Sequence, residues 1–208
     1  MKISGDLVTS NNKCIPYILY KQEEKSNCLA IILPGTGYTA DSPLLRYTTQ
    51  VLIKKGIDVL HVNYKYSQEE LTALNDVDFT NDVLSVIESI NSEYKYEHFK
   101  IIAKSIGTIA MSYLLEKPKF QSADAYWLTP LLQRDDVYNA LIKSHQKGLC
   151  IIGDCDHCYN SERFEVLKGN SKLTLNLIEG VNHSLEFENN IYDSIDLLKK
   201  VINIIDKF

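Results

Sequence analysis

Four short stretches of this 208-residue chain carry residue types that do chemistry together. The first is IIAKSIGTIA at 101–110, where Lys104 and Ser105 interrupt an apolar run and Gly107 follows two residues after the serine. A strand that ends in a tight turn, lifts a hydroxyl into a pocket and enters a helix has this pattern. The others are Pro34-Gly35-Thr36-Gly37-Tyr38, Gly153-Asp154-Cys155-Asp156-His157 and Gly180-Val181-Asn182-His183-Ser184. Between them they offer a hydroxyl, a carboxylate and an imidazole in the chain order Ser, Asp, His. A serine hydroxyl is a weak nucleophile at neutral pH and needs a base within hydrogen-bond reach. An imidazole takes that proton, and a buried carboxylate fixes its tautomer and stabilises the imidazolium.

Each stretch also has a plain structural meaning. Ser105 would make a good N-cap for a helix starting at Ile106. The Pro-Gly-Thr-Gly segment would serve as a turn or a phosphate cradle, although it lacks both nucleotide-binding glycine spacings. Joint occurrence, in the right loops and order, favours nucleophilic catalysis. His61, His98 and His145 fall inside or before regular elements and receive no role. Cys155-Asp156-His157-Cys158 has the spacing of a metal or dithiol motif, but no second Cys-x-x-Cys pair completes it and it lies late in the chain, so no metal is expected. Two carboxylates compete for the role of acid. Asp154 directly follows Gly153, where a carboxylate commonly bonds its own turn. Asp156 sits further along the loop, able to reach across towards His183, and is the expected acid.

These residues must be positioned by an alternation of strands and helices. Residues 2–9 and 14–20 read as a hairpin about the Ser10-Asn11-Asn12 cluster. A continuous apolar run at 28–33, of the kind buried on both faces of a sheet, stops at Pro34. Helices are expected at 44–55, with Gly56 as its C-terminal stop, and at 78–90, 106–116, 135–145 with a stop at Gly148, and 191–205. The last has apolar positions at Ile195, Leu198, Val201, Ile202 and Ile205. Further strands are expected at 57–64, 99–103, 123–128, 149–152 and 173–178. Such alternation predicts an α/β fold, a mostly parallel sheet of about seven strands with helices on both faces. In such sheets the active groups lie on loops beyond the carboxyl ends of the strands, where all four stretches fall.

With that order and the strand–turn–helix context of Ser105, the chain from about Leu29 onward resembles the α/β-hydrolase fold family. The family's Gly-x-Ser-x-Gly elbow is here Ala103-Lys104-Ser105-Ile106-Gly107, alanine replacing the first glycine. The likeness is greatest to small single-domain serine hydrolases with a lysine before the serine. It implies a catalytic set of Ser105, Asp156 and His183, the acid three residues after a glycine. It also implies an oxyanion hole formed by the backbone N–H groups of Thr36 and Ile106.

The stretch between Trp127 and Leu149 has room for one helix only, so no separate lid domain is expected within the single domain 1–208. The site should then be open, walled by Tyr38, residues 64–66 and residues 128–131, with Gly37, Tyr38, Tyr64 and Thr129 as substrate-binding residues. An open pocket suits a soluble acyl substrate of modest size. The expected activity is hydrolysis of a carboxylic ester or thioester through an acyl-serine, with no cofactor. The alternatives are a peptidase or carbon–carbon bond hydrolase on the same residues, or a binding module with a vestigial site.

Composition narrows the partners. A net charge of −5 without a basic face argues against nucleic acid. No apolar run is long enough to cross a bilayer, and residues 1–10 lack the apolar core of a signal peptide. The five cysteines, an odd number in a chain read as unexported, are expected to be reduced thiols in the cytoplasm. No feature defines an oligomeric state.

Overall fold

Alternating side chains of the central strands enter two different cores. In the computed structural model, which describes residues 1–9 and 12–208, β3 (Cys28–Leu33) sends Leu29, Ile31 and Leu33 to one face and Ala30 and Ile32 to the other. β5 (His98–Ser105), β6 (Asp124–Pro130) and β7 (Gly148–Gly153) divide their residues in the same way. Apolar residues at every position, rather than every second one, are what a strand needs when helices cover both sides.

β1 (Lys2–Val8) and β2 (Cys14–Tyr20) pair antiparallel, from Lys2↔Tyr20 to Val8↔Cys14, as a hairpin should. Ser10 and Asn11, in the expected turn, lie outside the described residues. β4 (Asp58–Val62) and β8 (Leu173–Ile178) complete an eight-stranded sheet of order β1-β2-β4-β3-β5-β6-β7-β8. From β4 to β8 every pairing is parallel. The expectation of about seven strands falls short because the whole hairpin joins the sheet, β2 pairing antiparallel with β4.

α1 (Pro43–Lys54) and the C-terminal α7 (Ile191–Lys207) cover one face. α3 (Asp76–Tyr94), α4 (Gly107–Leu114), α5 (Asp135–Lys143) and α6 (Ser161–Leu167) cover the other. α1 ends as expected at Gly56, whose N–H bonds Ile53 O while that of Ile57 bonds Leu52 O, the paired bonds of a left-handed C-terminal cap. Gly148, expected to stop α5, instead opens β7. Two short helices escape the periodicity, α6 and α2 (Gln68–Thr72). Each is too short to build an apolar stripe, although the Ser67/Glu70 capping box marks the start of α2.

α7 corrects a face assignment. Ile195 is 59% exposed, and burial centres on Leu197, Val201 and Ile205. A helix this rich in Ile and Leu offers two overlapping stripes, and packing against α1 selects one. Among the described residues, no helix is long and apolar enough to cross a membrane.

Candidate active site

β5 runs two residues further than its apolar pattern suggests, and Ser105 is its last residue. Its register against β6 shifts between Lys104 and Ser105, and Ser105 has φ +53°. A non-glycine residue in this left-handed region is strained and stays there only where its surroundings hold it. Two glycines make room. A Cβ on Gly107 would lie 2.4 Å from Leu33 O, so only glycine lets α4 start so close to the end of β3. A Cβ on Gly35 would lie 3.2 Å from Ser105 Cβ, so the segment after β3 packs directly on the serine. Ile106, not Ser105, is at the helix N-cap, and no side chain caps it. The Ser105 hydroxyl has no hydrogen-bond partner among the described residues, so the capping role does not account for it.

The segment after β3 is braced at both ends. Gly35 N–H donates to Tyr38 O at 3.1 Å, and the buried Tyr64 hydroxyl donates to Pro34 O. Neither Thr36 N–H nor Ile106 N–H donates to an acceptor among the described residues. Both residues line a cleft of about 600 Å³, together with Gly35, Gly37, Tyr64 and Tyr66. Tyr38 stands apart from this cleft. Its hydroxyl accepts from Leu44 N–H at 3.1 Å, and it lines a second cavity of about 620 Å³ beside Leu185 and Phe187.

The loops after β7 and β8 are zipped together. A Cβ on Gly153 would lie 1.9 Å from Val181 O, so glycine permits the contact. Asp154 N–H donates to Ile178 O at 3.0 Å and Cys155 N–H to Val181 O at 3.2 Å. Asp154 does not fold back on its own turn as expected: its Oδ1 accepts from Gly180 N–H at 2.7 Å, across the gap. Asp156 is buried, with both carboxylate oxygens 2.8 Å from His183 Nδ1 and Oδ1 also accepting from Cys158 N–H at 2.8 Å. Burial by itself would raise the Asp156 carboxyl. The bonds from His183 and Cys158, with the neighbouring His183 and His157 charges, outweigh it and hold the group below the usual carboxylate range. With Nδ1 tied to the carboxylate, the tautomer that leaves Nε2 bare to accept a proton is favoured.

Cys155 and Cys158 do not form a dithiol: one thiol is exposed, the other buried. Donor atoms of Asp156, His157, Cys158 and His183 lie within 4.8 Å of one another. Three of these four residues are already engaged, however, and the fourth, His157, is exposed. The carboxylate and His183 Nδ1 hold each other, and Cys158 Sγ accepts from Gln133 Nε2 at 3.2 Å. Burial pushes the Cys158 thiol up to about 11, so it offers no ready thiolate.

One expected wall residue is misplaced. Thr129 is fully buried, at φ +44°, and its hydroxyl accepts from Lys104 Nζ at 2.7 Å, so it does not face the cleft. Tyr64 does line the cleft, but through its ring, since its hydroxyl braces Pro34. Sequence reasoning gave Lys104 no role. The one available signal was a lysine inside a run otherwise suited to a buried strand.

Fold and site together define a class. The chain belongs to the α/β-hydrolase family: the model of the alpha/beta hydrolase domain matches residues 27–208. Among solved structures it is similar to an α/β hydrolase of unknown function from Agrobacterium tumefaciens, at 18% identity and a TM-score of 0.74, covering 99% of this chain and 95% of that one. It is also similar to an esterase from Pyrococcus furiosus (15%, TM-score 0.73, covering 100% and 93%). A third is a serine hydrolase without a lid from Xanthomonas campestris (14%, TM-score 0.70, covering 98% and 94%). At these identities the likeness is one of fold. No curated protein matches the chain. Between β6 and β7 the chain holds only α5, and no separate lid covers the site among the described residues.

Proposed function

We propose that the protein is a serine hydrolase that cleaves a carboxylic ester or thioester of a small soluble substrate through an acyl-serine intermediate. The observation that carries this is the Asp156–His183 pair, with Nδ1 tied to the carboxylate, on a loop joined through Lys104 to the strained turn of Ser105. Ser105 Oγ attacks the substrate carbonyl carbon while His183 Nε2 takes the hydroxyl proton. The carbonyl oxygen becomes an oxyanion, which the N–H groups of Thr36 and Ile106 stabilise by roughly 3 kcal/mol each. Collapse breaks the bond to the leaving oxygen or sulfur, which receives the proton from His183. Water then attacks the acyl carbon, His183 takes its proton, and the bond to Ser105 Oγ breaks with return of that proton to the serine. These steps use no metal or organic cofactor.

The site supports an acyl substrate with one face in the Thr36–Ile106 cleft, bordered by Gly37 and Tyr64, and Tyr38 beyond its edge. We place the reaction in the cytoplasm, in one catalytic domain spanning the chain. All five thiols are free, which supports a reducing compartment, and the acidic balance gives no support for a nucleic-acid or membrane partner. A fluorophosphonate probe should leave one adduct on the Ser105 peptide by mass spectrometry, lost in Ser105→Ala, and short p-nitrophenyl esters should turn over faster than long ones. An adduct on another residue, or undiminished esterase activity in Ser105→Ala, would refute the assignment.

A further inference from the structure

Lys104 is 1% exposed, one residue before Ser105, in the interior of a sheet where methionine or leucine would fill the same space. Burying an ammonium is costly unless each proton finds a partner. Here each does. Lys104 Nζ donates to Thr129 Oγ1 at 2.7 Å and to His183 O at 2.7 Å, and it lies 4.8 Å from the centroid of the Tyr38 ring. The group therefore ties together the turn that carries Ser105, the end of β6, the loop after β3 and the loop that carries His183.

Asp156 fixes the His183 ring but not the distance of its backbone from the serine. The other backbone bonds of the His183 loop stay within it or run to the loop after β7: Asn182 N–H donates to Glu186 O, Leu185 N–H to Asn182 O, Ser184 and Glu186 N–H to Asn182 Oδ1, and Cys155 N–H to Val181 O. Among the described residues none of them reaches the Ser105 turn. We propose that Lys104 is a positioning residue of the active site, its charged side chain holding the His183 backbone in register with the Ser105 turn. This role rests on Ser105 and His183 being the nucleophile and base proposed above.

The role makes activity depend on the ammonium's charge. Burial pushes Lys104 down to about 8, opposed by the charges of Asp156 and Glu186. The groups facing it are Asp156 and Cys158 from the loop after β7, Glu186 from the loop after β8, and Tyr38 from the loop after β3. Cys158 is pushed up to about 11 and burial raises the Tyr38 phenol above its ordinary value. Neither should titrate where Lys104 does. The competent site should therefore weaken as pH rises through about 8, when the amine keeps two N–H donors but loses the charge that strengthens both bonds and the attraction to the Tyr38 ring.

The test measures the rate of fluorophosphonate labelling at Ser105 from about pH 6 to about pH 10, in the wild type, Lys104→Met and Lys104→Arg. Lys104→Met should label about a hundredfold more slowly, as expected for a displaced base, and lose the alkaline fall near pH 8. Lys104→Arg keeps a charged donor and should recover part of the rate, with its alkaline fall moved above about pH 10. Hydrogen exchange followed by mass spectrometry should show faster exchange of residues 181–186 in Lys104→Met. Wild-type labelling rates and an unchanged alkaline limb in Lys104→Met, with exchange unaltered, would overturn the role. If the wild type resists the probe, the acyl-serine proposal fails, and hydrogen exchange alone decides whether Lys104 holds the His183 backbone. If Lys104→Met does not fold, Thr129→Val removes one acceptor and should loosen the same segment in milder form; no change there would count against the role.

Discussion

Two aspartates separated by one residue, Asp154 and Asp156, have different work to do. Asp156 is buried and spends both oxygens on His183, whereas Asp154 is exposed and accepts from the backbone of Gly180. Asp156→Asn would present His183 Nδ1 with an amide that no longer selects the tautomer or stabilises the imidazolium, so kcat should fall about 10⁴-fold. Asp154→Asn keeps an oxygen acceptor for Gly180 N–H and should stay within about tenfold of the wild type. Steady-state kcat of the two variants, compared at matched folding stability, checks the ranking. A larger loss in Asp154→Asn would move the acid.

At the level of elements, the site depends on chain segments approaching closer than side chains allow. The loop after β7 meets the loop after β8 at Gly153, where an added Cβ would sit 1.9 Å from Val181 O. The obstacle is backbone, which cannot step aside without opening the bonds from Asp154 N–H to Ile178 O and from Cys155 N–H to Val181 O. Gly153→Ala should therefore cost about 2–3 kcal/mol of stability, in the range of overpacked interiors. It should also lower kcat, because the loops it parts carry Asp156 and His183. Urea unfolding read beside the kinetics tests both consequences; an alanine variant with wild-type stability would show that the loops yield more readily than their contacts suggest.

For the whole molecule, one buried histidine sets a limit on stability in acid. His61 lies on β4 beneath α1, 2% exposed, with Nε2 2.8 Å from Thr49 Oγ1. Thr49 gives its own proton to Leu45 O, so Nε2 must be the donor, and Nδ1 is left bare with no partner among the described residues. A second proton would place a charge and an unpaired N–H in the core. Burial accordingly pushes His61 down to about 4, against the opposing charge of Asp41. Its folded value lies below its unfolded value of about 6.5, so the unfolded chain binds the proton first. The contribution is fully present above about pH 6.5 and is lost as pH falls towards 4, about 3 kcal/mol over that window. Urea unfolding across this window should show a smaller loss in His61→Asn than in the wild type. Parallel curves would mean that His61 titrates freely.

Much of this architecture was legible in local pattern. The apolar runs at 28–33 and 149–152, the Schellman stop at Gly56 and the Phe79–Ile90 stripe of α3 are decided by neighbours within a few residues, and each becomes the expected element. Strand ends were less legible: β5 runs on through Lys104 and Ser105 because Leu128 and Pro130 of β6 pair with them. The order of Ser105, Asp156 and His183 at the ends of β5, β7 and β8 was likewise visible, because parallel topology delivers those strand ends to one edge of the sheet. Side-chain direction was not. That Asp154 turns to Gly180, that Thr129 faces inward, that Ile195 is exposed and that the Lys104 ammonium reaches His183 O all depend on segments remote in sequence. Chain-local energetics select helix, strand or turn, whereas the partner of a buried polar group is chosen by whichever distant backbone the packed layers bring within about 3 Å of it.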